Sequence, residues 1–194
     1  MVGELRAVYD LWREFEKRVT RKTRFFPSDP FLEELEKLLS EYKYIVPADQ
    51  AFYRARIYKW ENNERHFMGQ PIYRAEEMGA PPPDKTKEGR ANPKGIPVLY
   101  VADDVYTAIA EVRPWRSSEV CVAKCITKKQ CKVLDVASRG VHPIMTLLGI
   151  MFSQPVASHS EMDYLPTPVI SEFVRNKGFD GIKYLSMVGT GFNT

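Results

Sequence analysis

The sequence has few cysteines, and their spacing indicates neither a disulfide framework nor a zinc site. Three occur among 194 residues, as Cys121, Cys125 and Cys131, and no two are separated by only two residues. An odd number without such paired spacing favours free thiols. We therefore expect reduced cysteines and a reducing, cytoplasmic compartment.

Histidines are equally scarce, which leaves little basis for a metal centre. The chain has three, His66, His142 and His159, and their separations do not match the ligand spacing of metal sites. Isolated histidines are more often structural or exposed. The sequence therefore predicts no metal and no bound cofactor.

Long hydrophobic runs and a strong charge of one sign are also missing. The apolar stretch 144–152 is far shorter than the roughly 20 residues that span a bilayer. The charged N-terminus lacks an apolar core, so we expect no secretory signal and no membrane partner. A net charge of +3 is too small to predict nucleic-acid binding. The basic run 18–24 (RVTRKTR) favours a solvated helix end, with nucleic-acid contact as the alternative.

The first quarter of the chain has the pattern of two amphipathic helices. Apolar residues recur every three or four positions over residues 2–22, which predicts a helix with one buried face. Ser28 or Asp29 can cap a second helix, with Pro30 in its first turn. Pro47 ends this region. We assign residues 1–49 to an N-terminal helical extension and residues 50–194 to the main domain.

The main domain contains more predicted strands than helices, without regular alternation, so we expect an α+β fold with a mixed sheet. The predicted strands cover residues 52–60, 97–103, 120–126, 132–137 and 179–186. The predicted helices cover residues 103–114, 144–152 and 167–178. The segment 61–97 is rich in glycine and proline, and a loop of this length in a compact domain is typically functional or disordered.

Three polar positions are candidates for chemistry on their residue types alone. Arg90 follows a glycine in the long loop and can bind phosphate with two hydrogen bonds, or it is an ordinary surface arginine. Glu111 lies in an apolar helix, where a carboxylate needs a partner. It is either a functional carboxylate or one that pairs with an arginine just after the helix. Ser186 ends a predicted strand, where ligand groups are common, or simply forms a turn.

Taken together and in order, these motifs resemble the RES domain family, whose name comes from its Arg, Glu and Ser. The similarity covers about residues 50–194 and is carried by FYRAR (52–56), GRANPKG (89–95), VLYVA (98–102), AIAEV (108–112) and FDGIKYLS (179–186). The chain departs from the family pattern at Ala91, where an aromatic residue is common. It also stops at residues 191–194, where the family still has a C-terminal strand.

The resemblance implies a compact core similar to bacterial-toxin ADP-ribosyltransferases and an enzyme that breaks the nicotinamide–ribose bond of NAD. By this resemblance Arg54 and Arg90 hold the pyrophosphate, and Tyr100 stacks on or borders the nicotinamide. Glu111 binds the nicotinamide ribose and Ser186 contacts the nicotinamide side. Arg54 is favoured over Arg56, which lies on the same side of the predicted strand.

The resemblance further implies a toxin that pairs with a helix-turn-helix antitoxin. NAD is the substrate, and water or inorganic phosphate is the acceptor, which corresponds to a glycohydrolase or a phosphorylase. Two alternatives stay open: a protein ADP-ribosyltransferase, and a catalytically inactive RES-like binding or regulatory module. The oligomeric state is also open, and a homo-oligomer is one option.

Overall fold

The computed structural model describes residues 2–24, 28–58, 73–137, 142–154 and 165–194. Within these residues five α-helices occur: α1 (Val2–Arg21), α2 (Pro30–Leu38), α3 (Val105–Glu111), α4 (Pro143–Ser153) and α5 (Pro166–Asn176). Six strands accompany them: β1 (Lys43–Val46), β2 (Ala51–Ile57), β3 (Val120–Ile126), β4 (Cys131–Asp135), β5 (Gly181–Leu185) and β6 (Phe192–Asn193). The expected α+β class is confirmed. No helix of the described part is both long and apolar enough to cross a membrane.

The larger sheet has the strand order β1-β4-β5-β6 and is mixed, as expected. Its central pair, β4 and β5, is parallel, whereas the β1–β4 and β5–β6 pairs are antiparallel. A parallel pair needs a long crossover, and the connection from β4 to β5 contains α4 and α5. The second sheet is the antiparallel pair β2–β3. Ala102 links the two sheets, because it bridges Tyr53 of β2 and Asn193 of β6.

The two N-terminal helices contribute to the main hydrophobic core. Helix α1 packs against α2, α4 and α5. Three aromatic side chains are almost fully buried: Trp12, Phe15 and Phe31. The ring centroid of Phe31 lies 5.3 Å from that of Trp12 and 5.4 Å from that of Phe15. Truncating such a core aromatic to alanine typically destabilises a protein by about 3–5 kcal/mol. The helices at the start of the chain therefore support the sheet that carries β5 and β6.

Local signals at the helix ends agree with the structure. Asp29 caps α2 by accepting a hydrogen bond of 2.7 Å from the Phe31 amide, and Pro30 is the first helical residue. Asp29 also forms an ion pair with Arg18, the first arginine of the basic run 18–24. This arginine is therefore bound within the protein. Gly178 follows α5 with a φ of 79°, a left-handed conformation that favours glycine.

Two predicted elements differ in the structure. Residues 43–46, expected within the helical extension, form the edge strand β1 and pair with β4. Residues 97–103, predicted as a strand, are extended but join their neighbours mainly through backbone bonds of Val101 and Ala102. Asp103 adds one bond to Phe192 of β6, and these isolated bridges do not form a continuous ladder. The boundary at residue 49 stays a prediction.

Candidate active site

Glu111 is the last residue of α3, and three side chains from other parts of the chain surround its carboxylate. Its Oε1 accepts hydrogen bonds from Ser186 Oγ at 2.8 Å and from Asn193 Nδ2 at 2.5 Å. Its Oε2 lies 3.6 Å from Nη2 of Arg90. The partner of this carboxylate is therefore the loop arginine rather than an arginine just after the helix. A carboxylate with one oxygen held by two donors has a fixed orientation.

Arg90 is fixed from the opposite side by the end of a helix. Its Nη1 donates to the carbonyl oxygens of Phe152 and Ser153 at 2.7 and 3.2 Å. Carbonyls in the last turn of a helix lack helical partners and carry partial negative charge, so a guanidinium satisfies both needs. The guanidinium also lies 5.8 Å from the ring centroid of Tyr184. Burial raises the pKa of the Tyr184 phenol far above its usual range, so that wall is neutral.

Tyr100 fastens the loop that carries Arg90. Its hydroxyl donates to Oδ1 of Asn92 and accepts from the Ala91 amide, both at 2.8 Å. Asn92 is buried and bonds the loop again through Nδ2. Gly89 is required at this point, since an added Cβ would lie 2.7 Å from the Tyr100 hydroxyl. The tyrosine therefore has a structural task in addition to any contact of its ring with a ligand.

Arg54, on β2, is a cation without a full set of partners. Its Nη1 is buried and makes no hydrogen bond. Burial lowers the pKa of Arg54, and the nearby charge of Arg56 lowers it further, although an arginine remains charged at neutral pH. Arg56 instead donates from Nη2 to the Gly79 carbonyl at 3.3 Å and lies 5.9 Å from the Tyr73 ring centroid. The two arginines of the strand thus have different surroundings.

Ser186 forms the turn that its sequence position allowed and also bonds Glu111, whereas its contact with a ligand stays a prediction. Its Oγ accepts hydrogen bonds from the amides of Val188 and Gly189, at 3.2 and 2.8 Å, and so forms a turn. The same hydroxyl donates to Glu111. The serine therefore connects the turn after β5 to the carboxylate, although it does not itself line the adjoining pocket.

The other four predicted residues meet in the wall of one pocket of about 330 Å³. This volume is at the low end of the range for small-molecule sites, about 300–1,000 Å³, so the pocket has room for a small ligand or for part of a larger one. The residues that line it are Tyr53, Arg54, Ala55, Gly89, Arg90, Tyr100, Val101, Ala102, Ala108, Glu111, Val112, Tyr184 and Asn193. Two cations, one carboxylate and an amide converge on a small volume, which suits an anionic ligand with a reacting centre near the carboxylate.

Sequence patterns alone do not identify every residue of this arrangement. Asn193, buried and bonded to Glu111, lies in a short glycine-rich end that no predicted helix or strand covers. The one available signal was an asparagine after the last family motif. Thr107, fully buried in α3, gave no signal at all.

A second and larger pocket, of about 390 Å³, shares Tyr100, Val101 and Tyr184 with the first. Its lining is largely apolar and includes Ala91, the residue that replaces an aromatic. Because the charged groups converge on the smaller pocket, we place the candidate site there. Among the described residues no three potential ligands group around a metal position, and His66 and His159 lie outside those residues.

A sequence model of the RES domain matches residues 51–194, well over half of the chain. The chain belongs to the RES domain family. In this RES domain the three eponymous residue types, Arg90, Glu111 and Ser186, form one connected set of contacts. Helices α1 and α2 and strand β1 precede the matched region. No curated protein and no solved structure gives a significant match to the chain.

Proposed function

We propose that this RES domain consumes NAD by breaking the nicotinamide–ribose bond, and that it is the toxin of a toxin–antitoxin pair. The observation that carries the proposal is the Glu111 carboxylate, held by Ser186 and Asn193 on the wall of a pocket that also contains two arginines. Family membership supports an NAD-related activity at a general level.

The proposed reaction uses this carboxylate to stabilise positive charge. The C1′–N bond breaks, its electron pair leaves with the nicotinamide ring, and the cationic ring becomes neutral nicotinamide. Positive charge then develops on the ribose, as in glycoside hydrolysis. A carboxylate that is already oriented stabilises this charge without reorganising in the transition state. Glu111 is the carboxylate in the pocket wall and takes this role.

The arginines supply binding and orientation. Arg54 presents a buried guanidinium nitrogen without a hydrogen-bond partner, and a phosphate oxygen would satisfy it. Arg90, held by the end of α4, offers a second cation on the same pocket. Fixing the pyrophosphate uses binding energy from a remote part of the substrate to hold the reacting sugar in place. The Tyr100 and Tyr184 rings border the site on the side of the departing ring.

The acceptor decides the product. Water forms a bond to C1′, releases a proton to solvent and gives ADP-ribose. Inorganic phosphate gives ADP-ribose-1″-phosphate, and a protein side chain gives an ADP-ribosylated protein. We favour water or phosphate over a protein side chain as acceptor, and the cations of the pocket wall would attract phosphate, a small anion. The proposed setting is the cytoplasm, with a helix-turn-helix antitoxin as protein partner and no direct contact with nucleic acid or membrane.

Product analysis tests the proposal. Purified protein is mixed with NAD, with and without inorganic phosphate, and the products are separated by chromatography and identified by mass. We expect free nicotinamide, and a second product whose mass identifies the acceptor. Glu111→Gln should lower kcat by about 100-fold or more, with a much smaller change in KM. Glu14→Gln, on the exposed side of α1, is the matched control.

Each alternative has its own outcome in this experiment. Transfer of ADP-ribose from NAD to a protein, seen as an increase in the mass of that protein, would indicate an ADP-ribosyltransferase. Intact NAD after hours with a folded protein would contradict the proposal and favour an inactive RES-like module. Nicotinamide release that is unchanged in Glu111→Gln would refute the assignment of the carboxylate.

A further inference from the structure

Thr107 lies one helical turn before Glu111 and is fully buried. Its Oγ1 donates to Oδ2 of Asp104 at 2.5 Å and accepts from the backbone amide of Gly191 at 2.9 Å. Asp104 also caps α3, because its Oδ1 accepts from the Thr107 amide at 2.8 Å. Residues i and i+4 share one helix face, so Thr107 and Glu111 both face the C-terminal segment.

The C-terminal segment is the stretch 186–193, which contains both donors to Glu111. Besides the bridge between Asn193 and Ala102, three hydrogen bonds attach it to α3 and to Asp103 just before the helix cap. Gly191 bonds Thr107, the Phe192 amide donates to Oδ1 of Asp103 at 2.8 Å, and the Asp103 amide donates to the Phe192 carbonyl at 3.1 Å. Ser186 and Asn193 then bond Glu111 from the two ends of the segment.

Two glycines make this close approach feasible. A Cβ on Gly189 would lie 2.6 Å from Oγ1 of Thr107 and 2.8 Å from its Cα. A Cβ on Gly191 would lie 2.9 Å from the same hydroxyl and would collide with carboxylate oxygens of Asp103 and Asp104. Contacts below 3.0 Å are essentially never seen for real Cβ atoms. The segment therefore packs backbone directly against the threonine.

The hydroxyl of Thr107 is oriented by its two partners. An ionised Asp104 can only accept, so the Thr107 hydroxyl donates its hydrogen bond to Asp104. The lone pairs of the hydroxyl oxygen are then free to accept from the Gly191 amide. Hydrogen bonds from Thr107 lower the pKa of Asp104, which keeps this carboxyl ionised at neutral pH. Valine has nearly the same shape as threonine but cannot make either bond.

We propose that Thr107 is a positioning residue, which holds the C-terminal segment on α3 so that Ser186 and Asn193 both reach Oε1 of Glu111. The catalytic part of this inference rests on the proposed function. Thr107 lines neither of the two pockets, and its hydroxyl acts on the Glu111 carboxylate through the backbone of Gly191. Without this bond the segment keeps its bonds to Asp103 and its pairing with β5, but the buried Gly191 amide has no acceptor and the backbone is no longer held against α3. The carboxylate then loses its fixed orientation, and stabilisation of the developing charge weakens.

Thr107→Val and Thr107→Ser form a matched pair of variants of the full chain. Amide hydrogen exchange in residues 186–193, measured without NAD, should be about tenfold faster in Thr107→Val, because the buried Gly191 amide loses its acceptor. The kcat for nicotinamide release should fall by about 10- to 100-fold, with little change in KM. Thr107→Ser keeps the hydroxyl and should restore both exchange protection and kcat.

A purely structural role would not give this split between kcat and KM or the rescue by serine. Unchanged exchange in Thr107→Val, or a kcat equal to that of wild type, would overturn the proposal. So would a Thr107→Ser variant as impaired as Thr107→Val. If Thr107→Val fails to fold, Gly191→Ala is the second variant, because its added Cβ pushes the segment away from Thr107. This variant should show the same faster exchange and lower kcat.

The exchange measurement separates this inference from the proposed function. A wild-type protein that leaves NAD intact would contradict the NAD-consuming activity. Exchange in the protein without NAD would still decide whether Thr107 holds the segment. Faster exchange in Thr107→Val supports the positioning role, and equal exchange refutes it.

Discussion

Arg90 and Glu111 face each other across the candidate site with Nη2 and Oε2 3.6 Å apart, and their side chains are 21% and 22% exposed. This separation exceeds the 2.7–2.9 Å of a direct charge-assisted hydrogen bond. Each residue has its short hydrogen bonds elsewhere, Arg90 to the end of α4 and Glu111 to the C-terminal segment. The two opposite charges are thus held apart by their own anchors, and both remain available to a ligand.

Replacing Arg90 by methionine should weaken both the fold and the reaction. The carbonyls of Phe152 and Ser153 lose a charged donor, which should lower the free energy of unfolding by about 1–3 kcal/mol. A cation of the pocket is lost as well, so KM should rise and kcat should fall. Urea unfolding and nicotinamide release measure the two effects, with Arg13→Met on the exposed face of α1 as control. An unchanged unfolding midpoint would contradict the anchoring of Arg90 to α4.

The same change at Arg54 should not destabilise the protein. Its Nη1 is buried without a hydrogen bond, and removing an uncompensated cation is neutral or stabilising. We expect Arg54→Met to unfold at the same or a higher urea concentration and to raise KM for NAD. ADP supplies a pyrophosphate without nicotinamide, and it should raise the Tm of wild type but not of Arg54→Met. Equal stabilisation of both proteins by ADP would exclude Arg54 from pyrophosphate binding.

Tyr100→Phe separates the ring of the tyrosine from its hydroxyl. The ring that borders the pocket is kept, whereas Oδ1 of buried Asn92 and the Ala91 amide lose a partner. The expected destabilisation is about 1–3 kcal/mol, with a fall in kcat/KM because the Arg90 loop is less well held. Tyr106→Phe, at a residue that is 82% exposed, should change neither quantity. If Tyr100→Phe unfolds like wild type, the hydroxyl does not fasten the loop.

The elements with strong local patterns were predictable from the sequence. Apolar periodicity predicted α1 almost to the residue, and Asp29 was one of the two caps predicted for α2. Strand β1 was not predictable in the same way. It has four residues, three of them exposed, and it forms because residues 43–46 pair with a strand almost ninety positions later. Nothing in its local sequence indicates that partner.

The residues of the candidate site likewise divide into those that the sequence predicts and those that depend on tertiary packing. Arg90, Glu111 and Ser186 were each ambiguous alone, and only the order of the family motifs predicted that they belong together. Asn193 and Thr107 depend on where the end of the chain returns to α3. Such a contact arises from tertiary packing between residues about eighty positions apart, so neither periodicity nor residue type reveals it.

The pH dependence of stability provides an independent check of the bond between Thr107 and Asp104. Hydrogen bonds from Thr107 hold the pKa of Asp104 below its ordinary value. A carboxyl with a lowered folded-state pKa stabilises the fold above its unfolded pKa, about 3.9, and this contribution is lost as pH falls through the folded pKa. The difference in unfolding free energy between wild type and Asp104→Asn should therefore be constant from pH 7 to about 5 and shrink below pH 4.

Urea unfolding of the two proteins across this pH range measures that difference. Asparagine can still cap a helix, so Asp104→Asn isolates the charge of the carboxylate from the cap itself. Asp10→Asn, on the exposed face of α1, carries the same change of charge without the Thr107 contact and is the matched control. A difference that persists unchanged to pH 3 would show that the ionised form of Asp104 gains nothing from Thr107. The orientation of the Thr107 hydroxyl would then rest on its bond with the Gly191 amide alone.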